Sequence, residues 1–174
     1  MIAKNIIAVL LVVLILFSCS KDETDSPVEP GAFSTGIFSA NIGGMQWNAG
    51  TVRAYKQDIY TRINGTQEIS DTQNKYSSMS VFIDILHLSG PKLFAIGEDG
   101  NGLNYSAYAR IEATPRNGNP KEIFYGQYVE NLSLLDVTGI DSERIRGEFG
   151  FRGFTKTNPA DSMNVVNGTF NITF

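Results

Sequence analysis

Apolar and polar residues alternate with a period of two along nearly the whole chain beyond about residue 35, which predicts strands with one buried and one wet face. Ile37-Phe38-Ser39-Ala40-Asn41-Ile42 runs into Gly43-Gly44, a hairpin signal, and continues as Met45-Gln46-Trp47-Asn48-Ala49. Runs at Thr51–Tyr55 and Ile59–Ile63 follow, and Asn64-Gly65 predicts another tight turn. The strongest run is Ser78–Leu88, where Met79, Val81, Phe82, Ile83, Ile85, Leu86 and Leu88 are almost continuously apolar. A central strand fits it best, and Gly90-Pro91 ends it. Further runs lie at Leu93–Ile96, Tyr105–Ala113, Ile123–Val129, Leu132–Thr138, Arg144–Phe154 and Val165–Phe174. The last two share a pattern: Gly147-Glu148-Phe149-Gly150-Phe151 and Gly168-Thr169-Phe170-Asn171-Ile172 both place an apolar residue at every second position after a glycine. They predict an antiparallel pair joined through Asn158-Pro159-Ala160-Asp161. No window beyond the first twenty residues holds an i, i+3, i+4, i+7 pattern. The expected fold is all-β, an antiparallel β-sandwich of about eight to ten strands, with a flattened β-barrel as the alternative.

The N-terminus is built differently. Lys4 precedes Ile6–Phe17, twelve residues without a charge. A membrane-spanning helix needs roughly 20 apolar residues, whereas 10–14 suits the core of an export signal. The run ends in Leu16-Phe17-Ser18-Cys19, which resembles the lipobox of bacterial lipoproteins, although Phe17 is larger than usual for its position. That resemblance implies cleavage before Cys19, a diacylglyceryl group on its thiol, and further acylation of the new amine. Two or more chains give stable attachment where one is marginal. Ser20-Lys21-Asp22-Glu23-Thr24-Asp25 resembles the surface-export signal of Bacteroidota lipoproteins, which implies an outer-membrane address with the domain facing outward. The expected organisation is a signal peptide over 1–18, a flexible tether over 19–34 and one β domain over 35–174. The tether spans on the order of 20–25 Å root-mean-square.

Composition narrows the chemistry. The 174 residues include 17 Gly, 11 Phe and 7 Tyr but only 14 Lys and Arg, with a net charge of −4. No basic run exists, so nucleic-acid binding has no electrostatic footprint. Cys19 is the one cysteine, which removes disulfides, thiolate metal sites and a cysteine nucleophile from the domain. An exported chain of this size without paired cysteines points to a bacterial source.

Candidate functional residues are few. His87, the one histidine, falls in the apolar Ser78–Leu88 run and reads as a buried or half-buried structural residue. Alone it cannot form a histidine metal cluster, and no Gly-x-Ser-x-Gly elbow accompanies it. Carboxylates are scattered; Asp84 is the most unusual because it interrupts the same run, and it reads as outward-facing. Glu98-Asp99-Gly100-Asn101-Gly102 looks like a calcium loop but lacks the distal ligands, and reads as a turn. Tyr105, Tyr108, Phe124, Tyr125 and Tyr128 cluster in two adjacent runs. The tyrosines Tyr105, Tyr108, Tyr125 and Tyr128 are the candidate ligand-stacking residues, with core packing as the plainer use of such a cluster. Asp161-Ser162-Met163 resembles the three-residue O-glycosylation signal of exported Bacteroidota proteins, which marks Ser162 as a candidate modification site.

Phe38-Ser39-Ala40, Gly44, Trp47 and Ala49 near the start, with Gly147, Phe149, Phe151, Asn167, Gly168 and Phe170 near the end, resemble a family of small Bacteroidota lipoproteins. The resemblance implies a fold and a location and carries no activity. The expected function is a membrane-tethered, non-enzymatic binding or assembly module at the cell envelope, without cofactor or metal. Its expected partners are the membrane, through its lipid, and a glycan or protein. The alternatives are a glycan-binding accessory protein and a hydrolase of unrecognised type.

Overall fold

The computed structural model describes residues 33–57, 59–97 and 107–174, so the signal segment, Cys19, the loop over 98–102 and Tyr105 lie outside the described residues. The alternating pattern becomes eleven strands: β1 (Thr35–Ile42), β2 (Met45–Asn48), β3 (Thr51–Gln57), β4 (Tyr60–Glu68), β5 (Tyr76–Leu86), β6 (Lys92–Ala95), β7 (Ala107–Pro115), β8 (Glu122–Gln127), β9 (Leu134–Ile140), β10 (Arg144–Thr155) and β11 (Ser162–Thr173). All are joined in one antiparallel sheet with the order β2-β1-β11-β10-β8-β7-β5-β4-β3. The long β10 shares one edge between two partners: Arg152–Thr155 pair with β8, and Ile145–Gly150 pair with β9, which in turn pairs with β6.

The sheet curls until its two ends meet. Ser34 forms an antiparallel bridge to Val52, its amide donating to the Val52 carbonyl at 3.1 Å. Its hydroxyl accepts from the Ala54 amide at 2.8 Å and donates to the Ala54 carbonyl at 3.3 Å. Gly50 N–H donates to Thr66 O at 2.8 Å, extending the β3–β4 ladder beside it. A free strand edge is a template for unwanted pairing, and a seam of this kind consumes it.

Inside the curl lies a single apolar core. Every strand contributes alternate residues: β5 buries Met79, Val81, Ile83 and Ile85, while Ser80, Phe82, Asp84 and Leu86 face the other way. Trp47, Phe38, Phe149 and Phe170 form an aromatic chain through the core, beginning with a T-shaped contact between Phe38 and Trp47 at 5.2 Å. Edge-to-face rings add to what their burial alone contributes. The β10–β11 pair forms through the Asn158–Asp161 turn, with Gly147 opposite Phe170 and Phe149 opposite Gly168. Its ladder slips by one residue near Asn167, which takes φ 52°, and β1 slips at the same place along β11. One extra residue in the left-handed conformation is a bulge, and asparagine tolerates that conformation better than most side chains.

Two expectations require correction. Gly43-Gly44 does turn, with φ of 58° and 86°, but Asn64-Gly65 lies inside β4, paired to Val52 and Val81 by Gly65. Glycine is needed there for space: a Cβ on Gly65 would sit 2.7 Å from Ala49 Cβ and 2.7 Å from Phe38 Cδ1. The turn into β4 falls between Gln57 and Tyr60 instead. His87 is exposed and stands just past β5 with φ 50°, its amide donating to Ile59 O at 2.7 Å. The strand ends at Leu86, two residues earlier than its apolar run, so His87 has no place in the core.

Candidate functional site

The candidate site grows out of the outer face of β4, β5, β7, β8 and β10. Register sets Asn64, Phe82, Arg110, Tyr125 and Phe154 side by side in one row across these five strands. Arg62, Asp84 and Tyr108 form the next row. Directly opposed side chains on one face lie within contact distance, so period-two patterning and this register together assemble the rows.

Between them opens a cleft of about 280 Å³, lined by Phe82, Asp84, Gly97, Tyr108, Ala109, Arg110, Tyr125 and Gly126. Gly126 meets the cleft with its backbone; a Cβ there would point to the core side, where it would approach the Ala109 carbonyl oxygen and the Ile96 and Phe151 side chains at 3.0–3.2 Å. Phe82, Tyr108 and Tyr125 give the walls an aromatic character. The Arg110 guanidinium lies 4.0 Å from the centre of the Phe82 ring, and Lys156 Nζ lies 4.3 Å from that of Tyr125. Cations over ring faces gain roughly 0.5–2 kcal/mol, more as water is excluded.

The charges around the cleft are paired in a set geometry. Arg62 grips Asp84 with two parallel bonds, Nε to Oδ1 at 2.5 Å and Nη2 to Oδ2 at 2.8 Å, and Tyr55 Oη accepts a third from Nη1 at 3.3 Å. Hydrogen bonding to Asp84 holds the Arg62 guanidinium well above its ordinary range, against the opposing pull of burial. Arg110 Nε donates to Glu112 Oε1 at 3.0 Å, and Lys121 Nζ to Glu112 Oε2 at 3.0 Å. Burial pushes the Glu112 carboxyl up, but the hydrogen bonds from Lys121 and Arg110 outweigh it, leaving the group below the usual glutamate range.

Of the sequence-predicted tyrosines, the structure brings Tyr108 and Tyr125 together in the cleft. Tyr128 lies beyond the end of β8 and outside the lining, 47% exposed, and Phe124 points into the core. Tyr105 lies outside the described residues. Phe82, Arg110, Arg62 and Lys156 were missed by sequence reasoning, although the first two carried a signal. Phe82 alternates with buried Val81 and Ile83, and Arg110 sits two residues from Tyr108, so both belong to the wet face. Ser162 opens β11 opposite Phe154 at the end of the same row, its hydroxyl accepting from Arg152 Nη2 at 2.8 Å and Nε at 3.2 Å.

No family model, curated protein or solved structure matches the chain. The site must therefore be read from its own geometry. A second cavity, about 490 Å³ and lined by Thr138, Asp141, Glu143, Arg144 and Arg146 among others, is mainly polar. The Asp141 carboxylate there already accepts the Glu143 and Arg144 amides, each at 2.8 Å. The aromatic cleft offers more to a ligand. Among the described residues no group of three or more His, Cys, Asp or Glu is arranged to hold a metal, and no helix is long and apolar enough to cross a membrane.

Proposed function

We propose that the protein is a lipid-anchored, non-catalytic binding module of the cell envelope that engages glycan through the cleft over β5, β7 and β8. The observation that carries the reading is the convergence of Phe82, Tyr108 and Tyr125 with Asp84 and Arg110 around one concave surface. Small ligand sites combine apolar walls with a few placed polar groups, and this cleft has both. Aromatic faces suit the C–H faces of sugar rings, while carboxylate and guanidinium groups meet their hydroxyls. Of the lining residues Asp84 is the carboxylate, and Arg62 already holds it at both oxygens, an arrangement for orienting a ligand more than for proton transfer. Attachment rests on Leu16-Phe17-Ser18-Cys19 and the acidic run from Asp22, which support an outer-membrane address.

Two measurements test the parts separately. On a glycan array the wild-type chain is expected to bind a restricted set of sugars, and Tyr125→Ala to lower that binding about tenfold, as loss of a central aromatic anchor does. Absence of binding to every sugar, or equal binding by the variant, would remove the cleft from the reading. Metabolic labelling with an acyl probe is expected to mark the wild type and to leave Cys19→Ala unmarked; equal labelling of both would place any lipid elsewhere.

A further inference from the structure

On a chain of net −4, three cations reach this cleft or its lining: Arg110 lines it, Arg62 holds the lining residue Asp84, and Lys156 lies over the lining residue Tyr125; the acids beside them are Asp84 and Glu112. Both acids are held by cations: Asp84 by Arg62, and Glu112 by Arg110 and Lys121. Arg110 is the cation best placed for a ligand. Its plane is fixed on the Phe82 ring, and among the described residues its hydrogen bonding is through Nε to Glu112. A guanidinium fixed in this way loses little freedom when its terminal nitrogens meet a carboxylate bidentately. Lys156, over the lining residue Tyr125, adds a second positive charge.

We infer that the cleft takes a carboxylated pyranose, a sugar of the uronic-acid class, with its ring against Tyr125 and Phe82 and its carboxylate at Arg110. The inference rests on the glycan-binding reading above and deepens it. A volume of about 280 Å³ lies just below the roughly 300–1,000 Å³ of small-ligand sites, which favours one ring over an extended chain segment. Asp84 separates a sugar from a flat aromatic acid. An ionised carboxylate offers about four lone-pair sites, and Arg62 occupies two, so Asp84 can still accept from ring hydroxyls. Its own charge is compensated by Arg62 and so opposes the incoming anion less than a bare carboxylate would.

Titration calorimetry of the full chain in detergent with three single-ring probes tests this: galacturonate, its methyl ester, and neutral galactose. The acid is expected to bind at least tenfold more tightly than either uncharged probe and to weaken as salt rises. Arg110→Gln is expected to remove most of that preference, so that acid and ester bind with affinities within about twofold of each other. Lys156→Gln, which lies beyond the end of β10 and leaves the ladder untouched, is expected to reduce the preference several-fold. Equal binding of acid and ester, or preference for the neutral probe, overturns the assignment of an acidic sugar while leaving the glycan-binding reading in place. Binding of none of the three overturns the assignment, and the array result then decides the wider reading on its own.

Discussion

Trp47→Ala is expected to lower the stability of the domain by about 3–5 kcal/mol, read as a fall in the urea midpoint followed by far-ultraviolet circular dichroism. The side chain is fully buried, its ring meets Phe38 edge-on at 5.2 Å, and Nε1 donates to the Met79 carbonyl at 3.1 Å. Trp47 is what fastens β2, a four-residue strand at the end of the sheet path, across the core to β5. Alanine would leave a cavity where an indole had been and remove the indole's bond to a carbonyl of the β4–β5 ladder. Domains of this size carry only ~5–15 kcal/mol in total, so the loss is a large fraction of what exists. Trp47→Phe separates the two effects. It keeps most of the apolar volume but loses the bond from Nε1 to the Met79 carbonyl, and is expected to cost about 0.5–1.5 kcal/mol. A Trp47→Ala effect below 1 kcal/mol would mean that β2 contributes little to the core.

Strand positions were legible in the chain because they depend on local alternation, which survives wherever one face of a sheet is buried. All eleven runs became strands, with ends shifted by a few residues, and the antiparallel β10–β11 pairing followed from their matching glycine-led patterns. Turn signals were less reliable for a definite reason. Gly43-Gly44 and Asn64-Gly65 look alike in sequence, yet Gly44 has open space around it while Gly65 faces Ala49, Phe38 and Trp47. What distinguishes them is the arrival of residues fifteen or more positions away, which no local pattern records. His87 misled in a similar way: its run continues to Leu88, but the chain leaves the sheet after Leu86.

The candidate site was half legible. Tyr108 and Tyr125 were visible as a cluster, and they do share the cleft. Arg62 and Asp84 are 22 residues apart and meet only because β4 and β5 pair in one register. Arg110, Phe82 and Tyr125 come from three strands. A one-residue slip in any of these pairings would turn the row to the other face, so the site is a consequence of register and could not be read before it.

The glycine–phenylalanine pairs of β10 and β11 carry the other large expected effect, and the two are expected to differ. A Cβ on Gly168 would lie 2.6 Å from Cδ1, Cε1 and Cζ of Phe149, all side-chain atoms. A Cβ on Gly147 would strike both Phe170 Cζ, at 2.6 Å, and the backbone carbonyl of Asp136 in the neighbouring strand. Neither glycine has a positive φ, so the cost of alanine is one of space and not of backbone conformation. Gly168→Ala is expected to cost about 1–3 kcal/mol by overpacking, and Gly147→Ala more, because a backbone atom cannot rotate away. Double-mutant cycles expose the difference. Phe149→Leu should relieve much of the Gly168→Ala penalty, giving a coupling of about 1–2 kcal/mol, since the ring is the whole obstacle. Phe170→Leu should relieve less of the Gly147→Ala penalty, because the Asp136 carbonyl stays where the β9–β10 ladder holds it. Equal couplings in urea unfolding would show that β9 yields as readily as a side chain. The expected inequality would instead show that the two motifs form one interlocked surface, with Gly147 fixed by its neighbour strand and Gly168 by a single ring.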